Sequence, residues 1–192
     1  MLSGWNHWRA TFGVLLLSLA LSSSAHAYLL GPVGLMPKGG LSLNTDYGFS
    51  SPQLGYHGGL GFVFGEGKFG FALEGLVGQR TFASGAVNLS ALWLNIPGRF
   101  WLRIVGPLHF TAGGYFAYGL GSVKSAGVAP PFTAAGLNPL DAGLASGIAL
   151  TIPIGKTAIV LDTRAQFGLL DSDTSSADVR NLSFDFELGF LF

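Results

Sequence analysis

The C-terminal segment of the chain alternates between large apolar residues and small or polar ones. The apolar positions are Leu182, Phe184, Phe186, Leu188, Phe190 and Phe192. The positions between them include Ser183, Asp185, Glu187 and Gly189. Successive side chains of a β-strand point to opposite faces, whereas a helix would place apolar residues every three or four positions. The segment therefore predicts a strand with one apolar face and one polar face.

The same period of two occurs in seven further segments, so the sequence predicts eight strands in all. These segments are 41–49, 56–64, 69–78, 88–102, 108–120, 143–154 and 159–168. Within 88–102 the alternation changes phase around Ile96, Pro97 and Gly98. Because proline has no N–H to donate to a ladder, this change of phase predicts a β-bulge.

The composition indicates that the apolar faces lie against lipid. Ten basic and ten acidic residues make up only 10% of the 192 residues, and the mean hydropathy is +0.48. A soluble domain carries more surface charge, and a disordered chain carries fewer aromatic residues. No segment has the roughly 18 consecutive apolar residues of a membrane-spanning helix. A closed barrel is the other structure that satisfies every backbone polar group in lipid, and bacterial barrels have an even number of strands.

The first 27 residues have the features of a secretory signal peptide. Arg9 is followed by the apolar stretch 11–21, and Ala25 and Ala27 form a small-residue cleavage site around His26. The apolar stretch is too short to be a membrane anchor. We therefore expect an all-β protein: a cleaved signal peptide at 1–27, and then an eight-stranded antiparallel up-and-down transmembrane β-barrel at 28–192.

The connections between the predicted strands alternate in length. Those after the second, fourth and sixth strands are short, at 65–68, 103–106 and 155–156, and those after the third, fifth and seventh are longer, at 81–87, 122–140 and 170–180. Short periplasmic turns and long external loops are typical of outer-membrane barrels. The exception is the short first external loop, at 50–53. We expect the Gly-, Ala- and Pro-rich loop 122–140 to be the main contact surface.

Several motifs resemble those of the PorT-type family of small outer-membrane β-barrels, which share the eight-stranded architecture of the OmpA- and OmpX-like barrels. The motifs are LNIP at 94–97, RFWLR at 99–103, AGGYFAYG at 112–119, DAGL at 141–144, GIAL at 147–150 and LGFLF at 188–192. The resemblance implies a link to secretion or envelope-assembly partners. It also implies that Phe190 and Phe192 form the C-terminal signal that the barrel-assembly machinery reads.

Charged residues on the polar faces of the strands should point into the barrel. They are Asp46, Glu74, Asp162, Arg164, Asp185 and Glu187. Side chains fill the interior of an eight-stranded barrel, and buried charges need partners, so we expect a lumenal ion network. If the last two strands pair with a tight offset, Arg164 would lie opposite Asp185 and Asp162 opposite Glu187. A path for protons or small cations is the alternative use of these groups.

The sequence gives no support for a catalytic, cofactor or metal site. His57 and His109 are expected near opposite ends of the barrel and so cannot share one site, and no nucleophile elbow is present. Asp171, Asp173 and Asp178 alternate like calcium ligands, but the turn glycine and the closing glutamate of an EF-hand loop are missing. The zero formal net charge argues against binding to nucleic acid.

The sequence therefore predicts a non-enzymatic barrel of the cell outer membrane with a packed polar lumen. Its expected partners are the membrane lipid, the barrel-assembly machinery during biogenesis, and a secretion or envelope protein that contacts the external loops. A narrow channel or a conduit for hydrophobic ligands is the main alternative. A lipid-modifying enzyme is a further one.

Overall fold

The fold is taken from a computed structural model, which describes residues 33–46, 52–65, 67–84, 87–124, 130–132, 137–171 and 180–192. The predicted signal peptide at 1–27 lies outside the described residues. No helix in the described part of the chain is long and apolar enough to cross a membrane.

Eight antiparallel strands form a closed barrel in chain order, and β1 pairs with β8 to complete it. The strands are β1 (Val33–Asp46), β2 (Gln53–Phe64), β3 (Phe69–Ser84), β4 (Val87–Val105), β5 (Leu108–Lys124), β6 (Leu140–Ile154), β7 (Thr157–Asp171) and β8 (Arg180–Leu191). Each strand pairs with its sequence neighbour, which is the up-and-down order expected from the short connections. The predicted fold class is confirmed.

Three tight turns lie at one end of the barrel, at 65–68, 106–107 and 155–156, and both ends of the barrel domain lie there too. At the opposite end, the connections 125–139 and 172–179 are longer. The predicted loop at 81–87 is wrong, because only residues 85–86 separate β3 from β4. Thr81 pairs with Ser90 and Ser84 with Val87, so this hairpin continues where small polar residues had suggested a loop.

The bulge predicted near Pro97 is also wrong. Leu73 pairs with Gly98 and Leu76 with Asn95, so β3 and β4 keep one register on both sides of the proline. The register shifts of β4 lie elsewhere, against β5, between Ser90 and Leu92 and between Arg103 and Val105. The change of phase was predicted because polar residues were expected at the lumenal positions of β4, where two buried tryptophans, Trp93 and Trp101, lie instead.

The outer wall of the barrel is apolar. Large side chains that are 39–71% exposed cover it, among them Phe64, Phe69, Phe100, Phe116, Tyr118, Leu144, Phe186 and Phe190. A water-soluble protein rarely exposes a continuous apolar surface of this extent. The wall therefore has the chemistry of a lipid-facing surface.

The lumen is filled by three layers of side chains. The layer near the tight turns is apolar and consists of Met36, Val63, Ala72, Trp101, Ala149, Ala158, Val160 and Leu191. The layer near the opposite end is also largely apolar and consists of Leu89, Ala91, Trp93, Tyr115, Ala117, Val123, Phe132 and Ala145. Charged residues occupy the space between the two.

Candidate functional site in the barrel lumen

The acidic residues predicted to point inward do so on three strands. Glu74 lies on β3, Asp162 on β7, and Asp185 and Glu187 on β8, and all four are at least 95% buried. In the β7–β8 hairpin, Arg164 lies opposite Asp185 and Asp162 opposite Glu187, which is the register expected from the sequence. Asp46 ends β1, but its side chain lies outside the described part of the structure.

Arg164 connects three of these carboxylates. Its Nε donates to Asp185 Oδ2 at 3.0 Å and its Nη2 to Glu187 Oε1 at 2.6 Å. Its Nη1 crosses the lumen and donates to Glu74 Oε2 at 3.1 Å. A guanidinium group suits this position because its donors are held in a rigid plane and can bind several carboxylates at once.

Arg99 on β4 is a second central cation, and sequence reasoning missed it. Its Nη2 lies 2.6 Å from Glu74 Oε1 and 2.5 Å from Asp162 Oδ2, and its Nη1 donates to Thr111 Oγ1 at 3.0 Å. The side chain is fully buried. The assumed change of phase in β4 hid it, because an unbroken alternation would have placed Arg99 on the lumenal face.

Lys38 on β1 is the third cation. Its Nζ lies 3.0 Å from Glu74 Oε2 and 3.1 Å from Asp162 Oδ2, and it also pairs with Glu187. The predicted first strand began at Leu41, so Lys38 was left out. Asn44 and Ser42 point into the lumen, and counting back from them along β1 in steps of two residues leads to Lys38.

His57 completes what we call the ion cluster: Lys38, His57, Glu74, Arg99, Asp162, Arg164, Asp185 and Glu187. His57 Nε2 lies 2.7 Å from Glu187 Oε1. His57 therefore reaches the middle of the lumen, deeper than the expected position near the external end. The cluster contains four carboxylates against three permanent cations, and each of these cations pairs with at least two of the carboxylates.

A smaller polar group lies between the ion cluster and the external end. Arg80 Nη1 donates to Asp141 Oδ2 at 2.9 Å, and the Tyr115 hydroxyl donates to the two Asp141 carboxylate oxygens at 3.0 and 3.1 Å. The Arg80 guanidinium also lies 5.1 Å from the Trp93 ring centroid, a cation–π distance. Sequence reasoning missed Arg80 and Asp141 because both lay at the edges of predicted loops.

Phe132, from the connection between β5 and β6, closes the external mouth of the barrel. Its ring packs edge-on against Trp93, with centroids 5.4 Å apart and planes at 87°. Backbone hydrogen bonds hold this segment to β5: Val123 N donates to Pro130 O at 2.9 Å and Gly119 N to Pro139 O at 2.7 Å. The side chain is 5% exposed, so it is part of the packed interior.

Little space is left between these groups. One cavity, of about 20 Å³, is lined by Asn44, His57, Trp93, Gln166 and Asp185 among others. That volume accommodates about one water molecule. This cavity is therefore too small for an organic ligand.

His57 and His109 lie in different surroundings. His109 Nδ1 lies 3.0 Å from the Pro107 carbonyl oxygen, and its ring lies 5.4 Å from that of Trp101, beside the tight turns. His57 belongs to the ion cluster.

In the described part of the chain, no three His, Asp or Glu side chains are grouped to hold a metal ion. Asp173 and Asp178 of the considered calcium loop fall outside that part, and Asp171 ends β7.

The C-terminal phenylalanines lie on the outer wall at the tight-turn end. Phe190 is 46% exposed and Phe192 is 62% exposed. Phe192 is held by two backbone hydrogen bonds to Leu35 of β1, at 3.0 and 3.2 Å. The end of the chain is therefore built into the seam that closes the barrel.

This architecture is that of the eight-stranded outer-membrane β-barrels, and solved structures share it. The barrel is similar to Neisserial surface protein A, with a TM-score of 0.52 and 9% identity over 84% of this chain and 96% of that one. Further matches are Ail of Yersinia pestis, with a TM-score of 0.46 and 14% identity over 83% and 97% of the two chains, and OprG of Pseudomonas aeruginosa, with 0.46 and 11% over 84% and 96%. At these identities the likeness concerns the fold.

Neither of the other two comparisons assigns the chain to a family. No model of a known protein family matches it, and no curated protein matches it either. The PorT-type resemblance therefore stays a prediction from the sequence motifs.

Proposed function

We propose that the protein is an integral outer-membrane β-barrel with a sealed lumen that acts as a structural or interaction element at its external end. The observation that carries this proposal is the ion cluster, which fills the middle of the lumen between two apolar layers. A barrel closed in this way offers its outer wall and its loops to other molecules.

The apolar outer wall supports the membrane placement. Exposed leucine, phenylalanine, isoleucine and tyrosine side chains occur on all eight strands. In water this surface would drive association, whereas in lipid it contributes about 25 cal/mol for each Å² removed from water. The tight turns would face the periplasm and the longer connections the exterior, as in other outer-membrane barrels.

The energetics of the ion cluster argue against a channel. Conduction would require water and ions to pass between Arg99, Glu74 and Arg164, whose side chains are almost completely buried and bonded to one another. Separating one buried partner from such a network costs about 3–5 kcal/mol, and an ion path would separate several at once. Phe132 adds a second barrier at the external mouth.

The external connections are where a partner would bind. Sealed barrels expose specific side chains to the exterior mainly through loops, which tolerate sequence change and carry recognition. The PorT-type resemblance favours a secretion or envelope-assembly protein as the partner. During biogenesis, the exposed Phe190 and Phe192 would be available to the barrel-assembly machinery.

The same geometry favours a non-enzymatic role. A general base must lie within hydrogen-bond reach of its substrate, and His57 Nε2 is paired with Glu187 in the ion cluster instead. His109 is packed against Trp101 and hydrogen-bonded to the main chain.

Mass spectra of lipid A from cells with and without the protein test the non-enzymatic role. Identical spectra are expected, and a modified lipid A would contradict this role.

Conductance across a planar bilayer tests the sealed lumen. The wild-type protein and an Arg164→Met variant should be compared, together with the matched variant Lys156→Met in the exposed turn between β6 and β7. We expect no discrete openings for the wild type or for Lys156→Met. Openings of the wild type that change with Arg164→Met but not with Lys156→Met would show that the lumen conducts, and would favour the channel.

A further inference from the structure

The outer wall of the barrel has a notch at the external end of β3, β4 and β5. It is a cavity of about 310 Å³ whose lining includes Gln79, Ser90, Leu92, Leu120, Ser122 and Lys124. The interior cavity next to the ion cluster has only about 20 Å³. This outward-facing notch is therefore large enough for a molecular fragment, unlike that interior cavity.

The notch arises from an irregularity in the β4–β5 ladder. Ser90 pairs with Lys124 and Leu92 with Leu120. An advance of two residues along β4 is therefore matched by four residues along β5, so β5 carries two extra residues here. Gly121, within the extra residues, has a φ of 76°, a left-handed conformation that glycine adopts without strain. Extra residues in one strand bend it locally and open the pairing, which accounts for a recess at this point.

Four of the eight residues that line the notch are polar, although it lies on the apolar wall. Gln79 brings an amide, Ser90 and Ser122 bring hydroxyls, and Lys124 brings an exposed ammonium group. Leu92 and Leu120 lie on the side of the notch that leads down the wall, away from the external rim. No carboxylate is among the described lining residues, and none of the salt bridges of the described part includes Lys124. Among the described residues, no carboxylate in the notch therefore neutralises this positive charge.

We propose that this notch binds the phosphate-bearing headgroup of a lipid in the external leaflet. Lys124 would pair with the phosphate, Gln79, Ser90 and Ser122 would hydrogen-bond the phosphate and ester oxygens, and an acyl chain would lie along Leu92 and Leu120. The inference rests on the membrane placement proposed above. A lipid fits better than a free phosphate ion because the notch continues into the apolar wall, where a free ion would lose its hydration without compensation.

Native mass spectrometry of the protein released from mixed micelles tests the proposal. The micelles contain phosphatidylglycerol in one arm and phosphatidylcholine in the other, and the measured quantity is the fraction of barrels that retain one lipid. The variants are Lys124→Gln, which removes the charge, and Ser90→Phe, which fills the notch. The control is Lys68→Gln, which makes the same charge change in an exposed turn at the other end.

We expect the wild type to retain phosphatidylglycerol and Lys68→Gln to match it. A lysine near a membrane surface contributes about 1 kcal/mol to the binding of anionic lipid, so Lys124→Gln should weaken retention about fivefold. Ser90→Phe should abolish retention although the charge remains. A third arm adds inorganic phosphate, which should not displace the lipid.

Equal retention by Lys124→Gln and Lys68→Gln would overturn the proposal, and so would displacement by inorganic phosphate. Heat-modifiable migration on gels establishes that each variant is a folded barrel. A folded, micelle-inserted barrel that retains phosphatidylglycerol no better than phosphatidylcholine would contradict the proposed lipid site in the notch alone. A barrel that stayed monomeric in detergent-free buffer would contradict the membrane placement and the notch together.

Discussion

Arg164 Nη1 on β7 lies 3.1 Å from Glu74 Oε2 on β3, so a direct ion pair spans the barrel lumen between residues 90 positions apart in the chain. Strand pairing alone cannot make this contact, because β3 and β7 are not neighbours in the barrel. The pair ties opposite walls together. An open pore through the middle of the lumen would have to break this contact.

Replacing Arg164 by methionine should therefore destabilise the barrel strongly. The change leaves Glu74, Asp185 and Glu187 with fewer cations in a buried site, which costs about 3–5 kcal/mol in the free energy of unfolding. Urea unfolding in lipid vesicles measures it. Lys156→Met in the exposed turn removes the same charge and should change stability by less than about 0.5 kcal/mol. Equal effects of the two substitutions would show that the ion cluster does not hold the barrel together.

Gly113 on β5 is expected to be intolerant of a side chain. A Cβ there would overlap the backbone oxygen of Gly98 and lie 2.8 Å from the Arg99 Cα, so Gly113→Ala should cost about 1–3 kcal/mol through overpacking. Gly75 on β3 has no heavy atom within 4 Å of the same position, which makes Gly75→Ala a matched control of negligible cost. The same unfolding assay applies, and a tolerated Gly113→Ala would contradict the close approach of β4 and β5.

Phe132→Ala should open the external mouth without opening the lumen. Loss of the ring removes the edge-on contact that covers Trp93, so acrylamide should quench Trp93 fluorescence more strongly. The measurement uses the chain from Tyr28 onward with Trp101→Phe, because Trp93 is then its only tryptophan. Phe116→Ala, on the outer wall, serves as the control. If quenching stays at the wild-type level in Phe132→Ala, this ring does not close the mouth.

The sequence predicted the barrel well because a period of two is a direct consequence of strand geometry. The order of the strands and the inward placement of Glu74, Asp162, Arg164, Asp185 and Glu187 followed from that period. The same rule failed in β4, where Trp93 and Trp101 fill lumenal positions. In a narrow barrel the lumen is a packed core with apolar layers, so polarity does not mark the inward face at every position.

Three of the eight residues of the ion cluster, Lys38, His57 and Arg99, were not assigned to it from the sequence, for related reasons. Arg99 was hidden by the assumed change of phase, and Lys38 lay before the start of the predicted first strand. The contact between Arg164 and Glu74 depends on side chains that reach across the lumen, which a pattern of faces along single strands does not describe. The closure of the mouth by Phe132 depends on the path of a connection, and a Gly-, Ala- and Pro-rich sequence specifies that path only weakly.

The most direct test of a sealed barrel in lipid uses its own tryptophans. From Tyr28 onward the chain contains only Trp93 and Trp101, and both side chains point into the lumen and are at most 4% exposed. In vesicles, their fluorescence should resist both iodide in the water and brominated acyl chains in the bilayer. A Leu144→Trp variant, whose new side chain would lie on the outer wall, should add emission that brominated lipid quenches. Strong quenching of the native tryptophans by brominated lipid would contradict the inward orientation, and strong quenching by iodide would contradict the sealed lumen.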